Sequence, residues 1–165
     1  MTLKQGDALP DAMFGVMTAE GPELKSTAEI FRGHRVALFG LPGAYTPVCH
    51  RQHLPGIVAL QPTLESHGID TVACTAVNDV FVLDRWAKEV GARGKVVMLA
   101  DGNGDFAVRS GLAVDLTEFG FGIRSNRYAM LVADGTVKLL SIEDVLTAHE
   151  KSSASSLCSM MEQVA

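Results

Sequence analysis

The 165-residue sequence contains no Cys-x-x-Cys pair, and its three cysteines, Cys49, Cys74 and Cys158, make an odd number. That arithmetic excludes a structural disulfide framework and a zinc ribbon, and it argues against a dithiol reductase. Basic charge is also scarce: 14 Lys and Arg against 19 Asp and Glu leave a net charge of -5 and a pI near 5.5. Without a positive field or a Lys/Arg cluster, neither nucleic acid nor an anionic membrane is expected as a partner. The longest uncharged stretch, Val36 to Cys49, is interrupted by two prolines and two glycines, and is too short to span a bilayer. The opening residues MTLKQGDALPDAMF have neither the basic-then-apolar order of a secretory signal nor the Arg- and Ser-rich pattern of a transit peptide, so a cytoplasmic location is expected.

Several cofactor signatures fail as well. The glycines of FGFGIRS (119–125) lack the GxGxxG order, and neither a Walker loop nor GxSxG occurs, so no nucleotide, flavin or nicotinamide cofactor is expected. In DGNGDF (101–106), Asp101, Asn103 and Asp105 have calcium-loop spacing, yet Phe106 replaces the required glycine and Leu112 the bidentate glutamate. Cys49 and His53 share a helix face at i and i+4. The remaining histidines, His34, His50, His67 and His149, are scattered, and no metal site is expected.

What is present suits one globular domain over residues 1–165, 47% hydrophobic and 20% charged. RVALFG (35–40), IDTVACTAV (69–77) and KVVML (95–99) read as buried strands, with a helical stretch between the first two. After the capping residues Asn78 and Asp79, Leu83, Trp86, Ala87 and Val90 recur at helical spacing until Gly91 stops the pattern. RYAMLVADGTVKLLS places two apolar runs around Asp134-Gly135, the signal of a tight hairpin. A last helix is expected to carry Leu157, Met160, Met161 and Val164 on one face, after a flexible connector or cap at KSSASS. The order β-α-β-α-β-β-α implies an α/β fold: a thioredoxin-like three-layer sandwich with a central mixed β-sheet flanked by helices.

One stretch carries the chemistry: LPGAYTPVCHRQHLPG, residues 41–56. Here a cysteine follows a strand at the point where a helix should begin. With Thr46 as N-cap and Pro47 at the first helical position, Cys49 falls on the third, among amide N–H groups with no intrahelical partner. The positive end of the helix dipole favours a thiolate there, so the Cys49 pKa is expected to lie below the unperturbed value of about 8.5. The competing reading is a small buried hydrophobe. The Thr46 hydroxyl, three residues earlier, is placed to meet the same reacting atom.

PGAYTPVC, with Pro42, Thr46 and Cys49 in a Pro-x-x-x-Thr-x-x-Cys frame, resembles the active-site loop of the peroxiredoxins, and the following HLPG resembles the peroxiredoxin-5 (type II) branch. VNDVFVLDRW (77–86), LADGNGDF (99–106) and GIRSNRYAMLVADG (122–135) resemble that branch in the same order, so the likeness covers roughly residues 2–141. The resemblance implies that Cys49 is a peroxidatic cysteine whose thiolate attacks the peroxide O–O bond and becomes a sulfenic acid. It implies further that Thr46 hydrogen-bonds the peroxide, that Pro42 shields the thiol, and that Arg127 is the active-site arginine. A permanently charged, multi-donor guanidinium suits that place, since it holds oxygens on which negative charge develops. Arg124, in the same segment, is the competing candidate.

The resemblance leaves the route back to the thiol open. Cys158, in SSLCSMMEQ, resembles the resolving cysteine of atypical two-cysteine members, although the segment after Ser141 departs from the family pattern. Cys74 lies 25 residues after Cys49 inside an apolar strand, where packing is the simpler role. If neither resolves, thioredoxin, glutaredoxin or glutathione is the thiol reductant of Cys49 directly. The resemblance also implies a homodimer formed near the active-site loop, with Phe39 or Leu41 near the contact. The expected activity is thiol-dependent reduction of hydrogen peroxide and organic hydroperoxides. A redox-sensing or chaperone-like binding protein on the same fold is the alternative.

Overall fold

The computed structural model describes residues 1–164. An N-terminal hairpin, β1 (Met13–Thr18) and β2 (Gly21–Ser26), leads into a short helix α1 (Thr27–Phe31). Ser26 and Glu29 form a reciprocal capping box at its start, which fixes where the chain turns helical. Strand β3 (Arg35–Gly40) then enters the core and ends at the loop that leads to Cys49. A π-helical turn (Cys49–His53) runs into α2 (Leu54–Ser66), followed by β4 (Thr71–Ala76), α3 (Val80–Glu89), β5 (Val97–Ala100) and α4 (Asp105–Arg109). After β6 (Ala113–Asp115) and β7 (Ile123–Ser125), the hairpin β8 (Tyr128–Ala133) and β9 (Thr136–Ile142) and helix α5 (Ala154–Gln163) complete the chain.

Seven strands form one mixed sheet in the order β2-β1-β5-β4-β3-β8-β9, with β3, β4 and β5 parallel and the remaining neighbours antiparallel. Strand alternation divides the core into two layers. Ala37 and Phe39 of β3 point to the layer of Leu54, Ile57, Trp86 and Leu157, whereas Val36 and Leu38 point to Phe14, Phe31, Leu99 and Phe106. Helices α2, α3 and α5 cover the first face and α1 and α4 the second, giving the expected three-layer sandwich. Because both faces of β3 are covered, its side chains read as a continuous apolar run.

The expected hairpin turn is present, with Asp134 at φ 50° and Gly135 at φ 72°, the left-handed pair that a two-residue turn between twisted strands requires. Asp79 caps α3 by accepting from the Phe81 and Val82 N–H groups. The N-terminal hairpin, α1, α4 and the small β6–β7 sheet have no counterpart in the expected element order, because their segments are short and half-exposed and lack a clean hydrophobic period.

Three local expectations need correction. Val164 is exposed, and the buried stripe of α5 is Ala154, Leu157, Cys158 and Met161. The KSSASS segment caps α5 as expected, the Ser153 hydroxyl accepting from Ser156 N–H, but it is not flexible, since Ser152 is fully buried against Glu143. Phe39 and Leu41 have no exposed surface, since β3 lies in the middle of the sheet, so neither is available to a partner chain.

Candidate active site

At the end of β3 the chain has to reverse from the sheet into a helix within a few residues. It does so by a tight turn in which Gly43 O accepts both the Thr46 N–H, at 3.4 Å, and the Thr46 hydroxyl, at 2.8 Å. Tyr45 occupies the left-handed region at φ 65°, an uncommon conformation for a residue with a side chain. The turn is anchored from outside, where Ala44 N–H donates to Asn78 Oδ1 at 2.9 Å. A side chain at Gly43 would collide with the Arg124 guanidinium, whose Nη1 lies 2.9 Å from an ideal Cβ there. Arg124 itself donates to the carbonyls of Phe121 and Val77. It therefore braces the loop from behind.

The first helical hydrogen bond runs from His50 N–H to Thr46 O at 2.8 Å, so the helix begins immediately after Thr46, and Cys49 sits in its first turn. The Thr46 side chain is not the cap expected from sequence. Its hydroxyl donates back to Gly43 and keeps its lone pairs free to accept from an incoming O–H. The N–H groups of Val48 and Cys49 have no acceptor among the described residues, as the first turn of a helix without a side-chain cap requires. Leu54 N–H reaches Cys49 O across five residues, which widens the turn into a π-helix, a local expansion that occurs often at functional sites.

The sulfur of Cys49 is fully buried and accepts a hydrogen bond from Arg127 Nη2–H at 3.2 Å. Arg127 leaves the sheet one residue before β8, and β8 pairs with β3 so that Tyr128 lies opposite Gly40. An ideal Cβ at residue 40 would sit 2.0 Å from the Tyr128 ring, so only glycine permits this pairing. Strand pairing thus brings two residues 78 positions apart in sequence to the same spot. Arg127 is itself buried and held at three points: Nε donates to Leu146 O at 2.9 Å, Nη1 to His53 Nδ1 at 2.9 Å, and Nη2 to the sulfur. A guanidinium has five N–H bonds, so one hydrogen on each Nη remains for a ligand.

His53, which shares a helix face with Cys49, holds the guanidinium at Nη1. Its Nε2 faces Ser152 O at 2.8 Å, so the proton resides on Nε2, and Nδ1 is free to accept from Arg127. Burial drives the His53 pKa down to about 3, with the Arg127 and His149 charges adding to the shift and the Ser152 carbonyl opposing it. A neutral imidazole is therefore a stable acceptor at neutral pH. On the outer side of the turn, His50 Nδ1 accepts from Trp86 Nε1–H at 2.9 Å while its ring stacks on Tyr45, fastening the Cys49 turn to α3.

The other predicted residues lie apart from this contact. Pro42 is buried at the start of the loop. Cys158 is buried on α5, and Cys74 lies in mid-strand on β4; all three thiols are free. Burial pushes the Cys74 thiol far above its ordinary value, with the neighbouring Cys49 adding to the shift, and burial also raises Cys158. A cleft of about 390 Å³ between Val72, Val80, Arg93 and Met98 opens at the opposite end of the parallel strands, away from Cys49. Sequence reasoning missed the contributions of Asn78, Trp86, Leu146 and Ser152. Each acts through a long-range hydrogen bond with no local signal; only the i, i+4 spacing of Cys49 and His53 was visible.

A buried cysteine at a helix start, hydrogen-bonded by a buried arginine on a thioredoxin-like sheet, sets one thiol rather than an adjacent dithiol at the site. The Redoxin family model matches residues 4–157. Peroxiredoxin-2E, chloroplastic, from Arabidopsis thaliana is 40% identical over 87% of this chain and 63% of its own length. Peroxiredoxin-2C from Oryza sativa subsp. japonica is 40% identical over 84% of this chain and 86% of its own. Among solved structures, reduced Prx3 in complex with H2O2 from Vibrio vulnificus superposes with a TM-score of 0.92 at 38% identity, covering 97% of this chain and 99% of that one. The chain belongs to the peroxiredoxins of the Redoxin family. It spans a little under two thirds of the length of some curated relatives, 63% in the Arabidopsis case.

Proposed function

We propose that the protein is a thiol-dependent peroxidase of the peroxiredoxin-5 (type II) branch, acting on hydrogen peroxide and organic hydroperoxides with Cys49 as nucleophile. The observation that carries this reading is the 3.2 Å bond from Arg127 Nη2–H to Cys49 Sγ, made between two buried side chains at a helix start whose Val48 and Cys49 amides have no acceptor among the described residues. Charge-assisted donors aimed at one sulfur stabilise negative charge there and on any oxygen bound beside it. In the reaction, the Cys49 thiolate attacks one peroxide oxygen along the O–O axis. An S–O bond forms as O–O breaks, giving a sulfenic acid and an alkoxide or hydroxide that takes up a proton and leaves as alcohol or water. Thr46 Oγ accepts the peroxide O–H, the free Arg127 N–H groups hold the departing oxygen, and Pro42 helps keep water from the sulfur.

Two external electrons then return the sulfenic acid to thiol. Cys158 is the resolving cysteine in this reading; its placement on the same core layer as Cys49 supports it, and a Cys49–Cys158 bond requires α5 or the Cys49 turn to move. Thioredoxin, glutaredoxin or glutathione supplies the electrons. The free thiols fit a reducing compartment, here the cytoplasm. A homodimer is part of the proposal. The exposed side chains of Tyr45, which is on the loop, and of Phe81, Phe119, Phe121 and Ile123 replace Phe39 and Leu41 as candidates for its contact surface.

Steady-state peroxide consumption with a thiol donor tests the reading, alongside mass spectrometry after one equivalent of peroxide on wild type, Cys158→Ser and Cys74→Ser. Multiple turnovers abolished by Cys49→Ser, with an intramolecular bridge lost only in Cys158→Ser, are expected. A protein that stalls after one equivalent would be a sensor, and the peroxidase reading would fall.

A further inference from the structure

The loop that joins β9 to α5 is tied at its ends by one carboxylate. Glu143 Oε1 accepts from the backbone N–H of Ser152 at 2.7 Å and from its hydroxyl at 2.8 Å, and both residues are buried. Ser152 in turn presents its carbonyl to His53 Nε2–H, and His53 Nδ1 receives Arg127 Nη1–H. The path closes on itself, because the Glu143 backbone N–H donates to Arg127 O at 3.0 Å. A ring of hydrogen bonds thus leaves Arg127 through its side chain and returns through its backbone. A second guanidinium anchor, Leu146 O, lies inside the loop that Glu143 closes.

We propose that Glu143 is a positioning residue for peroxide reduction, setting the His53 tautomer and through it the orientation of the Arg127 guanidinium over Cys49. This rests on the peroxidase reading of the site. The physical basis is tautomer control. Without Ser152 O as acceptor, the imidazole proton is no longer confined to Nε2. On Nδ1 it meets Arg127 Nη1–H donor to donor, and the guanidinium turns away from the sulfur. A Glu143 that acted only by holding its loop, and with it the Leu146 O anchor, would slow the reaction without changing the His53 tautomer.

The test compares the second-order rate of Cys49 with hydrogen peroxide in wild type, Glu143→Ala, Glu143→Gln, Arg127→Ala and the double variant Glu143→Ala/Arg127→Ala. It is joined by ¹⁵N NMR of the His53 ring. Glu143→Ala is expected to slow the reaction at least about tenfold, and Glu143→Gln, which keeps the acceptor, to recover to within about threefold of wild type. In the Arg127→Ala background, Glu143→Ala should change the rate less than about twofold. Loss of the pure Nε2–H signature of His53 in Glu143→Ala is the companion result. An unchanged tautomer in that variant, an equal loss in both backgrounds, or Glu143→Gln as slow as Glu143→Ala would overturn the proposal. If wild type consumes no peroxide while the tautomer still shifts, the peroxidase reading fails and takes the role in peroxide reduction with it, leaving only the control of the His53 tautomer by Glu143. Should Glu143→Ala not fold, Glu143→Asp, too short to reach Ser152, carries the same expectations.

Discussion

Lowering the pH from 7 to 5 should remove about 2 kcal/mol of stability through His53 alone. The unfolded imidazole takes up its proton near pH 6.5, whereas in the fold burial and the facing Arg127 guanidinium depress that value to about 3. Between these limits the unfolded chain binds one more proton than the native one, so stability falls by up to about 1.4 kcal/mol for each unit of pH. The contribution is complete above pH 6.5, is lost as pH falls, and levels off near 3. Integrated from 7 to 5, with the unfolded imidazole only partly charged at the start, this gives the stated figure. The assay is urea unfolding at both pH values on wild type and His53→Gln. The variant is less stable throughout but lacks the titrating group, and His34, His50, His67 and His149 remain in both proteins. The difference between the two pH-induced losses therefore isolates His53. Equal losses in wild type and variant would refute the neutral, Arg127-bonded imidazole described above.

Arg127→Lys should slow the reaction of Cys49 with peroxide about 100-fold or more, because one ammonium cannot serve Leu146 O, His53 Nδ1 and the sulfur from fixed directions. Competition kinetics check this, and a loss under tenfold would contradict it. Gly40→Ala should cost about 3 kcal/mol in denaturant unfolding, since the added methyl lands on the Tyr128 ring and pushes β8 off β3; a cost under about 1 kcal/mol would show that the strand yields easily. Peroxide should alter the emission of Trp86, the single tryptophan, in wild type and leave Cys49→Ser unchanged. An oxygen added to a fully buried sulfur has to displace the Cys49–His53 turn, whose His50 accepts the indole N–H.

The placement of Cys49 was legible because its determinants are local. A strand end, a stiff Pro-Gly loop and a helix start occupy neighbouring residues, so LPGAYTPVC places Cys49 without reference to the rest of the chain. The same holds for the Asp134-Gly135 hairpin and the Asp79 cap, where one or two residues decide the backbone. Thr46 illustrates the limit. Its position at the helix start was readable, but the choice of its hydroxyl for Gly43 O over a helix amide depends on the turn closed around it.

What the sequence by itself determined is the class of chemistry: one thiol at a helix N-terminus on a three-layer α/β sandwich, with arginines at 124 and 127 available to it. The resemblance had favoured Arg127 over Arg124, and the tertiary structure shows how the two divide, sending Arg124 to the loop carbonyls and Arg127 to the sulfur. It also recruited Glu143, Ser152 and His53 to hold Arg127 in place. The reason is the range of the interactions. Capping and turn preferences act over three or four residues, whereas β3–β8 pairing and the bonds from Arg127 to Cys49 and His53 and from His53 to Ser152 join positions roughly 75 to 100 residues apart, and their partners exist only once the sheet has assembled.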